Sequence, residues 1–231
     1  HLVDISELVV KEKAHLGIAV DPDVDRLALI CEDGSMFGEE YTLVACADYV
    51  LSRTKGNTVS NLSSSRALRD ITEKHGGSYK ASAVGEVNVV ELMKTTNAVI
   101  GGEGNGGIIY PASHYGRDSL VGVALFLTHL ANLKISCKKL RDSYPNYYMS
   151  KNKIELTPEI NVDSILEIMA CNYKNEDVST IDGVKIDFEK DWIHLRKSNT
   201  EPIIRIYTES ISQTSADELA NRFISEIKSV I

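Results

Sequence analysis

The sequence is poor in the residues and runs that mark several protein classes. It holds 5 Pro and 15 Gly in 231 residues and contains no internal repeat, which excludes collagen-like and wholly disordered chains. No apolar run approaches the roughly 18 residues that a transmembrane helix needs. Aromatic residues make up only 6% of the chain, yet the apolar fraction is 43%. This length and composition predict one or two domains with ordinary hydrophobic cores.

Positive charge and cysteine are also scarce. The 25 basic residues are outnumbered by 33 acidic ones, for a net charge of −8, and they form no stripe. We therefore expect no nucleic acid and no membrane as partner, and an anionic substrate would need local Arg and backbone N–H groups. The four cysteines are scattered, without metal-binding spacing. We interpret them as reduced thiols of a cytoplasmic protein.

The spacing of apolar segments predicts the domain organisation. Between residues 38 and 145, segments of strand and helix length alternate, which predicts a three-layer α/β domain with a mixed sheet. Residues 146–231 show one helix, several short strands and a final amphipathic helix. This pattern predicts a small α+β domain with a mainly antiparallel sheet. Residues 1–37 start at His rather than Met, and we interpret them as the end of a preceding, similar domain.

Acidic residues are concentrated between two apolar segments, where the sequence reads Asp21-Pro-Asp23-Val-Asp25-Arg26. Three neighbouring carboxylates repel one another unless they converge on a hard cation, and Mg²⁺ prefers such oxygen ligands. An EF-hand is excluded because Arg26 stands where that loop needs Gly. Two alternatives remain: a solvated acidic turn, and a haloacid-dehalogenase-like phosphatase with Asp21 as nucleophile. That phosphatase family usually has Thr or Val at the position of Asp25.

A glycine-rich segment at residues 101–107, GGEGNGG, follows a predicted strand. Its five Gly allow the backbone to approach a ligand closely. If the loop is extended, Glu103 and Asn105 face one side and suit neighbouring sugar hydroxyls. An ordinary Gly-rich turn explains the segment equally well, and the spacing is not that of a dinucleotide fingerprint.

A polar segment between two predicted strands of the second domain reads Arg196-Lys-Ser198-Asn199-Thr200-Glu-Pro. Arg196 offers a guanidinium fork for phosphate oxygens, and hydroxyl, amide and backbone N–H groups can complete an anion site. Ser, Asn and Thr are also common turn residues. Taken alone, the segment therefore favours a plain turn.

Together and in this order, the three segments resemble motifs of the alpha-D-phosphohexomutases, which include phosphomannomutase/phosphoglucomutase and phosphoglucosamine mutase. The family's metal loop D-G-D-G-D-R reads DPDVDR here, and its phosphate loop R-x-S-N-T-E-P reads RKSNTEP. Its sugar loop G-E-x-S-G reads GEGNG, with Asn105 in place of Ser. The resemblance implies the end of the second family domain, followed by the third and fourth domains. The first domain, with its phosphoserine, is absent from this sequence.

The resemblance also implies an activity and a role for each matched residue. Family members move phosphate between O6 and O1 of a hexose through a phosphoserine and a bisphosphate intermediate. The implied partners are a phosphorylated hexose and the missing N-terminal domains, and the chain alone is expected to show no mutase turnover. The matches assign Mg²⁺ to Asp21, Asp23 and Asp25, catalysis to Arg26, the sugar to Glu103, Gly104 and Asn105, and the distal phosphate to Arg196, Ser198, Asn199 and Thr200.

Departures from the family pattern leave two questions open. The catalytic serine motif T-A-S-H-N-P is mimicked only around Ser113, without its final Pro. A Lys and a His common in the third domain have no obvious counterpart; Glu86 or Arg66 could substitute, and Arg117 and Asp118 are further candidates. The phosphate-loop match leans towards mannose and glucose phosphates, with glucosamine phosphate close behind. A non-catalytic module that binds sugar phosphates is a further alternative.

Overall fold

A computed structural model describes residues 2–157, 160–198 and 201–230. The chain divides into two compact units, unit 1 (His1–Pro145) and unit 2 (Asn146–Ile231). Unit 1 contains the predicted remnant, residues 1–37, together with the predicted α/β domain, residues 38–145. None of the described helices is both long enough and apolar enough to cross a membrane.

Unit 1 begins with a helix and a hairpin and continues with alternating strands and helices. Its helices are α1 (Val3–Lys11), α2 (Glu39–Arg53), α3 (Ala67–Lys74), α4 (Glu86–Thr96), α5 (Ser119–Leu133) and α6 (Cys137–Asp142). Its strands are β1 (Leu16–Val20), β2 (Leu27–Cys31), β3 (Asn57–Asn61), β4 (Tyr79–Ser82), β5 (Ala98–Glu103) and β6 (Gly107–Ile109). The β1–β2 pair is an antiparallel hairpin, and the other strands form a sheet of order β4-β3-β5-β6. That sheet is mixed, because β3 is parallel to β4 and β5 while β6 is antiparallel to β5.

Helices cover both faces of the mixed sheet, as two adjacent residues of β3 show. Val59 packs in an apolar cluster with Val89 and Met93 of α4. The hydroxyl of neighbouring Thr58 lies 2.6 Å from the hydroxyl of Thr72 on α3. Successive side chains of a strand point to opposite faces, so α3 and α4 lie on opposite sides of the sheet. The predicted α/β fold with a mixed sheet is confirmed.

Unit 2 is a five-stranded antiparallel sheet that shares one core with two helices. Met169 and Phe223, one from each helix, are fully buried in a cluster with Ile193 and Ile206 of the sheet. The strand order is β7-β11-β10-β9-β8, so the predicted α+β fold is confirmed. The strands are β7 (Tyr148–Glu155), β8 (Asp177–Ser179), β9 (Val184–Asp187), β10 (Trp192–Lys197) and β11 (Ile203–Ser210), and the helices are α7 (Val162–Asn172) and α8 (Gln213–Ser229).

Two short elements differ from the sequence-based expectation. Residues 101–107 are not one loop, because β5 extends to Glu103 and β6 begins at Gly107. A hairpin with a three-residue turn stands in its place. Helix α6 is capped by Ser136, whose hydroxyl accepts a hydrogen bond from the backbone N–H of Lys139 at 3.3 Å. With three and six residues, β6 and α6 are too short to show a periodic apolar pattern.

Candidate functional site

The acidic loop, residues 21–26, forms the tip of the β1–β2 hairpin. Strand pairing continues up to Val20 opposite Leu27, which fixes both ends of the loop. Inside it, the Oδ1 atom of Asp21 accepts hydrogen bonds from the backbone N–H groups of Asp25 at 3.1 Å and Arg26 at 3.0 Å. The backbone is therefore held in a defined turn by one of the carboxylates themselves.

Three carboxylates converge in the acidic loop. One oxygen each of Asp21, Asp23 and Asp25 lies within 4.8 Å of the others, and the structure's described residues include no second such group of acidic, His or Cys side chains. Ligands around Mg²⁺, with bonds of about 2.1 Å, lie roughly 3–4 Å apart. Small side-chain rotations would therefore bring the three oxygens to coordination distance. An all-carboxylate donor set fits Mg²⁺ better than a soft metal.

The protonation equilibria of the acidic loop reflect this crowding. Desolvation raises the pKa of Asp25 above its usual value; Arg117 opposes the shift, while Asp21 and Asp23 add to it. For Asp21, desolvation is outweighed by the hydrogen bonds from the Arg26 and Asp25 backbone, which hold its pKa below the usual value. A bound cation would offset the mutual repulsion of the carboxylates.

A cavity beside the acidic loop connects the first two sequence motifs. Its volume is about 280 Å³, and Asp21, Arg26, Glu39 and Asn105 are among its lining residues. The Nε atom of Arg26 lies 3.3 Å from Asp21 Oδ2, yet its side chain remains 53% exposed. A guanidinium and an amide therefore line the same cavity as one of the clustered carboxylates.

Glu103 has different surroundings from Asn105, although both belong to the predicted sugar loop. Glu103 is buried; its Oε1 atom accepts hydrogen bonds from Asn61 Nδ2 at 2.8 Å and from the N–H of Gly85 at 3.3 Å. Asn105 lies in the hairpin turn, where its Oδ1 atom accepts the N–H of Gly107 at 3.2 Å. The extended arrangement expected for this pair is not formed, because the strand ends between them.

The position of a neighbouring carboxylate explains why residue 104 is glycine. A Cβ atom at residue 104 would lie 1.9 Å from Glu40 Oε2. The same Glu40 oxygen accepts the N–H of Ser65 at 2.8 Å, and the N–H of Gly104 donates to Ser64 Oγ at 3.0 Å. The Glu40 carboxylate thus fills the space that a side chain at residue 104 would need.

Hydrogen bonds join the acidic loop directly to the neighbouring hairpin and helix. The N–H of Leu27, the first residue after the loop, donates to the carbonyl of Gly106 at 3.0 Å. The hydroxyl of Ser119, at the start of α5, donates to the carbonyl of Val24 at 2.7 Å. Unit 1 therefore brings the predicted metal and sugar motifs together.

The third motif lies in unit 2, at the end of β10. Arg196 Nε is 2.9 Å from Asp182 Oδ2, and the arginine side chain is 23% exposed. Ser198 is buried, and its N–H donates to the carbonyl of Ile203 at 3.0 Å, which closes the base of the turn. The predicted phosphate-binding residues Asn199 and Thr200 lie outside the described residues.

The additional candidates from the sequence occupy different places. Glu86 and Arg117 contact each other at the site, with Arg117 Nε 3.2 Å from Glu86 Oε2. Arg66 is buried at the start of α3, and Ser113 lies on an exposed turn. In the sequence Arg117 was only a further candidate, marked by the Arg-Asp pair that follows the Gly-rich segment.

Family models match both units. The model for Phosphoglucomutase/phosphomannomutase, alpha/beta/alpha domain III, matches residues 38–148. The model for Phosphoglucomutase/phosphomannomutase, C-terminal domain, matches residues 151–226. Together these models cover most of the chain.

Individual relatives agree with the family models. A phosphoglucosamine/phosphogalactosamine mutase of Sulfurisphaera tokodaii is 34% identical over 235 residues, which are 100% of this chain and 51% of the relative. A phosphoglucomutase/phosphomannomutase of Thermococcus kodakarensis is 34% identical over 221 residues, 94% of this chain and 48% of the relative. The chain thus spans about half the length of the curated relatives it matches.

A solved structure supports the fold independently. The crystal structure of a phosphoglucomutase/phosphomannomutase family protein from Burkholderia thailandensis superposes with a TM-score of 0.83 at 24% identity. The match covers 99% of this chain and 49% of that protein. At this identity the likeness concerns the fold alone.

Proposed function

Because this chain belongs to the phosphoglucomutase/phosphomannomutase family, we propose that it supplies the metal, sugar and distal phosphate sites of a phosphohexomutase. The reaction is the reversible shift of phosphate between O6 and O1 of a hexose, an isomerisation. The motif resemblance implies that the phosphoserine which donates and recovers phosphate lies in an N-terminal domain, and this chain spans only about half of its curated relatives. We therefore expect the 231 residues alone to give no mutase turnover.

The observation that carries the proposal is the meeting of two motifs in unit 1. The acidic loop offers three carboxylate oxygens within 4.8 Å, and Asn105 of the hairpin lines the same cavity as Asp21 and Arg26. The negatively charged oxygens of a transferring phosphoryl group need positive charge beside them, and its sugar needs polar partners close by. The presence of Arg26 and Asn105 in one cavity supports the proposal.

Each residue of the acidic loop has a role in the proposal. Asp21, Asp23 and Asp25 would hold Mg²⁺, which when bound polarises a phosphoryl group. Arg26 would contact the same phosphoryl oxygens, since its side chain is 53% exposed next to the carboxylates. Asn105 would bind a sugar hydroxyl. We propose an indirect part for Glu103, because its carboxylate is buried among protein donors.

In unit 2 we propose that Arg196 binds the phosphate that does not react. Its guanidinium contacts one carboxylate, Asp182, and a phosphate dianion could compete for that contact through a bidentate pair. The backbone N–H of Ser198 closes the base of the same turn, and its hydroxyl would add a donor to the phosphate. Asn199 and Thr200 remain predictions.

The preferred hexose is proposed by class only. The two relatives described above carry names for glucosamine, galactosamine, glucose and mannose phosphates, so a hexose or 2-amino-hexose monophosphate is the proposed substrate.

A cytoplasmic location is proposed on the free thiols of Cys31, Cys46 and Cys137, all of which are buried.

Titration calorimetry of the chain with glucosamine 6-phosphate and glucose 6-phosphate, in the presence of Mg²⁺, tests the proposal. We expect Arg196→Ala to weaken binding at least tenfold, because it removes a charge-assisted bidentate contact. Arg222→Ala, on the surface of α8, is the matched control and should leave the affinity unchanged.

Three outcomes would contradict the proposal. Equal affinity of the wild type and Arg196→Ala would exclude the phosphate assignment. Phosphate release by the chain that disappears in Asp21→Asn, without any mutase reaction, would favour the phosphatase alternative. Binding without catalysis in a chain completed with an N-terminal half would favour the non-catalytic module.

A further inference from the structure

One arginine holds three carboxylates that come from three different elements. Arg117 Nη2 contacts Asp25 Oδ2 of the acidic loop. Its Nη1 atom lies 3.0 Å from Glu103 Oε2 at the end of β5, and its Nε atom lies 3.2 Å from Glu86 Oε2 at the start of α4. All three guanidinium nitrogens are therefore used, each on a separate segment.

The surroundings of Arg117 are built to keep it in place. Its backbone N–H donates to Glu86 Oε1 at 3.1 Å, so Glu86 holds both the backbone and the side chain. A Cβ atom at Gly107 would lie 2.5 Å from Arg117 Cδ. The lack of a side chain at residue 107 therefore leaves the space that the arginine side chain occupies. The Arg117 side chain is only 16% exposed.

The charges around Arg117 do not balance. The cluster holds five carboxylates and two guanidinium groups, those of Arg26 and Arg117, so negative charge is in excess. A single carboxylate would satisfy a structural arginine at a smaller desolvation cost. The excess negative charge is expected where a cation binds.

We infer that Arg117 is a positioning residue that couples the acidic loop to the sugar hairpin. This inference rests on the proposed function. Arg117 holds Asp25 Oδ2 and, at the same time, Glu103 Oε2. Asp25 Oδ1 lies 3.6 Å from Arg26 Nε, beyond hydrogen-bond distance, and is the oxygen that a cation would take. A change at either carboxylate is therefore transmitted to the other through a rigid planar group. Cation binding and hexose phosphate binding should favour each other.

The test measures Mn²⁺ affinity of the chain by electron paramagnetic resonance, with and without glucosamine 6-phosphate. Mn²⁺ bound to free sugar phosphate is subtracted. In the wild type we expect the sugar phosphate to tighten Mn²⁺ binding by about fivefold or more. Arg117→Lys keeps the charge and removes the fork. It should weaken Mn²⁺ binding about tenfold and bring the coupling factor close to one.

Matched controls separate positioning from general effects. Arg69→Lys, on the surface of α3, should change neither Mn²⁺ affinity nor coupling. Glu86→Gln leaves both ligand loops intact and loosens Arg117, so it should reduce the coupling even if Arg117→Lys fails to fold. Glu91→Gln removes the same charge from an exposed position of α4 and should leave the coupling unchanged.

The outcomes distinguish this inference from the proposed function. If the wild type binds Mn²⁺ and Arg117→Lys retains both affinity and coupling, the inference is overturned and the metal assignment stands. Lost affinity with intact coupling would also overturn it, because Arg117 would then act on Asp25 alone. If the wild type binds no Mn²⁺, the metal assignment itself fails, and the inference fails with it.

Discussion

Val24 has a left-handed backbone in the acidic loop, with φ of +60°. For a β-branched residue this conformation costs roughly 1–2 kcal/mol. The corresponding position of the family's metal loop is Gly, and the Val24 side chain is among the exposed apolar ones. The strain is maintained by the hydrogen bonds that Ser119 and Asp21 make with the loop backbone.

Val24→Gly is therefore expected to stabilise unit 1. The relief of strain exceeds the added entropy of the unfolded chain, about 0.5–1 kcal/mol for Gly, so the net gain should be about 0.5–1 kcal/mol. Native-state hydrogen exchange of the β2 amides measures it. Val87→Gly, in the first turn of α4, is the control and should lose stability. A loss of similar size in Val24→Gly would show that the left-handed backbone is not strained.

At the scale of single residues, the sequence identified candidate ligands better than it identified what surrounds them. The three Asp of the acidic loop were identified from their spacing, and the structure brings their oxygens within 4.8 Å of one another. The burial of Glu103 was not predictable, because its partners Asn61 and Gly85 come from distant segments. Periodicity along one segment carries no information about such contacts.

At the scale of elements, strands between clear turn signals were predicted accurately. The two apolar segments on either side of the acidic loop are strands β1 and β2 in the structure, because each is an apolar run bounded by polar turns. Strand β6 was not predicted, because the sequence Gly106-Gly107-Ile108-Ile109 shows no alternation of apolar and polar residues. The hairpin that aligns Gly106 with Leu27 was consequently read as a loop.

Strand β10 carries a buried histidine that gives unit 2 a pH-dependent stability. His194 Nε2 lies 2.7 Å from the carbonyl of Asp182. Burial lowers the pKa of His194 to about 4, with Lys185 and Arg196 lowering it further and Asp182 opposing them. The folded state therefore keeps a neutral imidazole at pH values where the unfolded chain, with a pKa near 6.5, takes up a proton.

Stability should accordingly fall as the pH drops from about 6.5 to 4, by roughly 3 kcal/mol in total. His194→Gln keeps a donor for the Asp182 carbonyl and does not titrate, so its unfolding free energy should fall less over this range. Fluorescence of Trp192, the one tryptophan of the chain and fully buried in unit 2, reports the transition. Measurement at pH 7.5 gives the cost of the substitution itself. Parallel pH curves for the two proteins would contradict the account.

At the scale of the whole molecule, a net charge of −8 accompanies a proposed anionic substrate. The proposal needs positive charge only locally, and the partly exposed side chains of Arg26 and Arg196 would provide it at the two predicted sites. The order of the three motifs was sufficient to predict the family. The contacts between the first two motifs could not be predicted from the sequence, because only the fold brings residues 25, 86, 103 and 117 together.

The most direct test of the central claim is a two-dimensional ¹⁵N–¹H NMR titration of the chain with glucosamine 6-phosphate and Mg²⁺. The account predicts shifts in three segments: residues 21–26, residues 103–106 and residues 196–198. In Arg196→Ala, the shifts of the third segment should be lost. Shifts confined to other surfaces, or none in these three segments, would contradict the assignment of metal, sugar and phosphate sites to this chain.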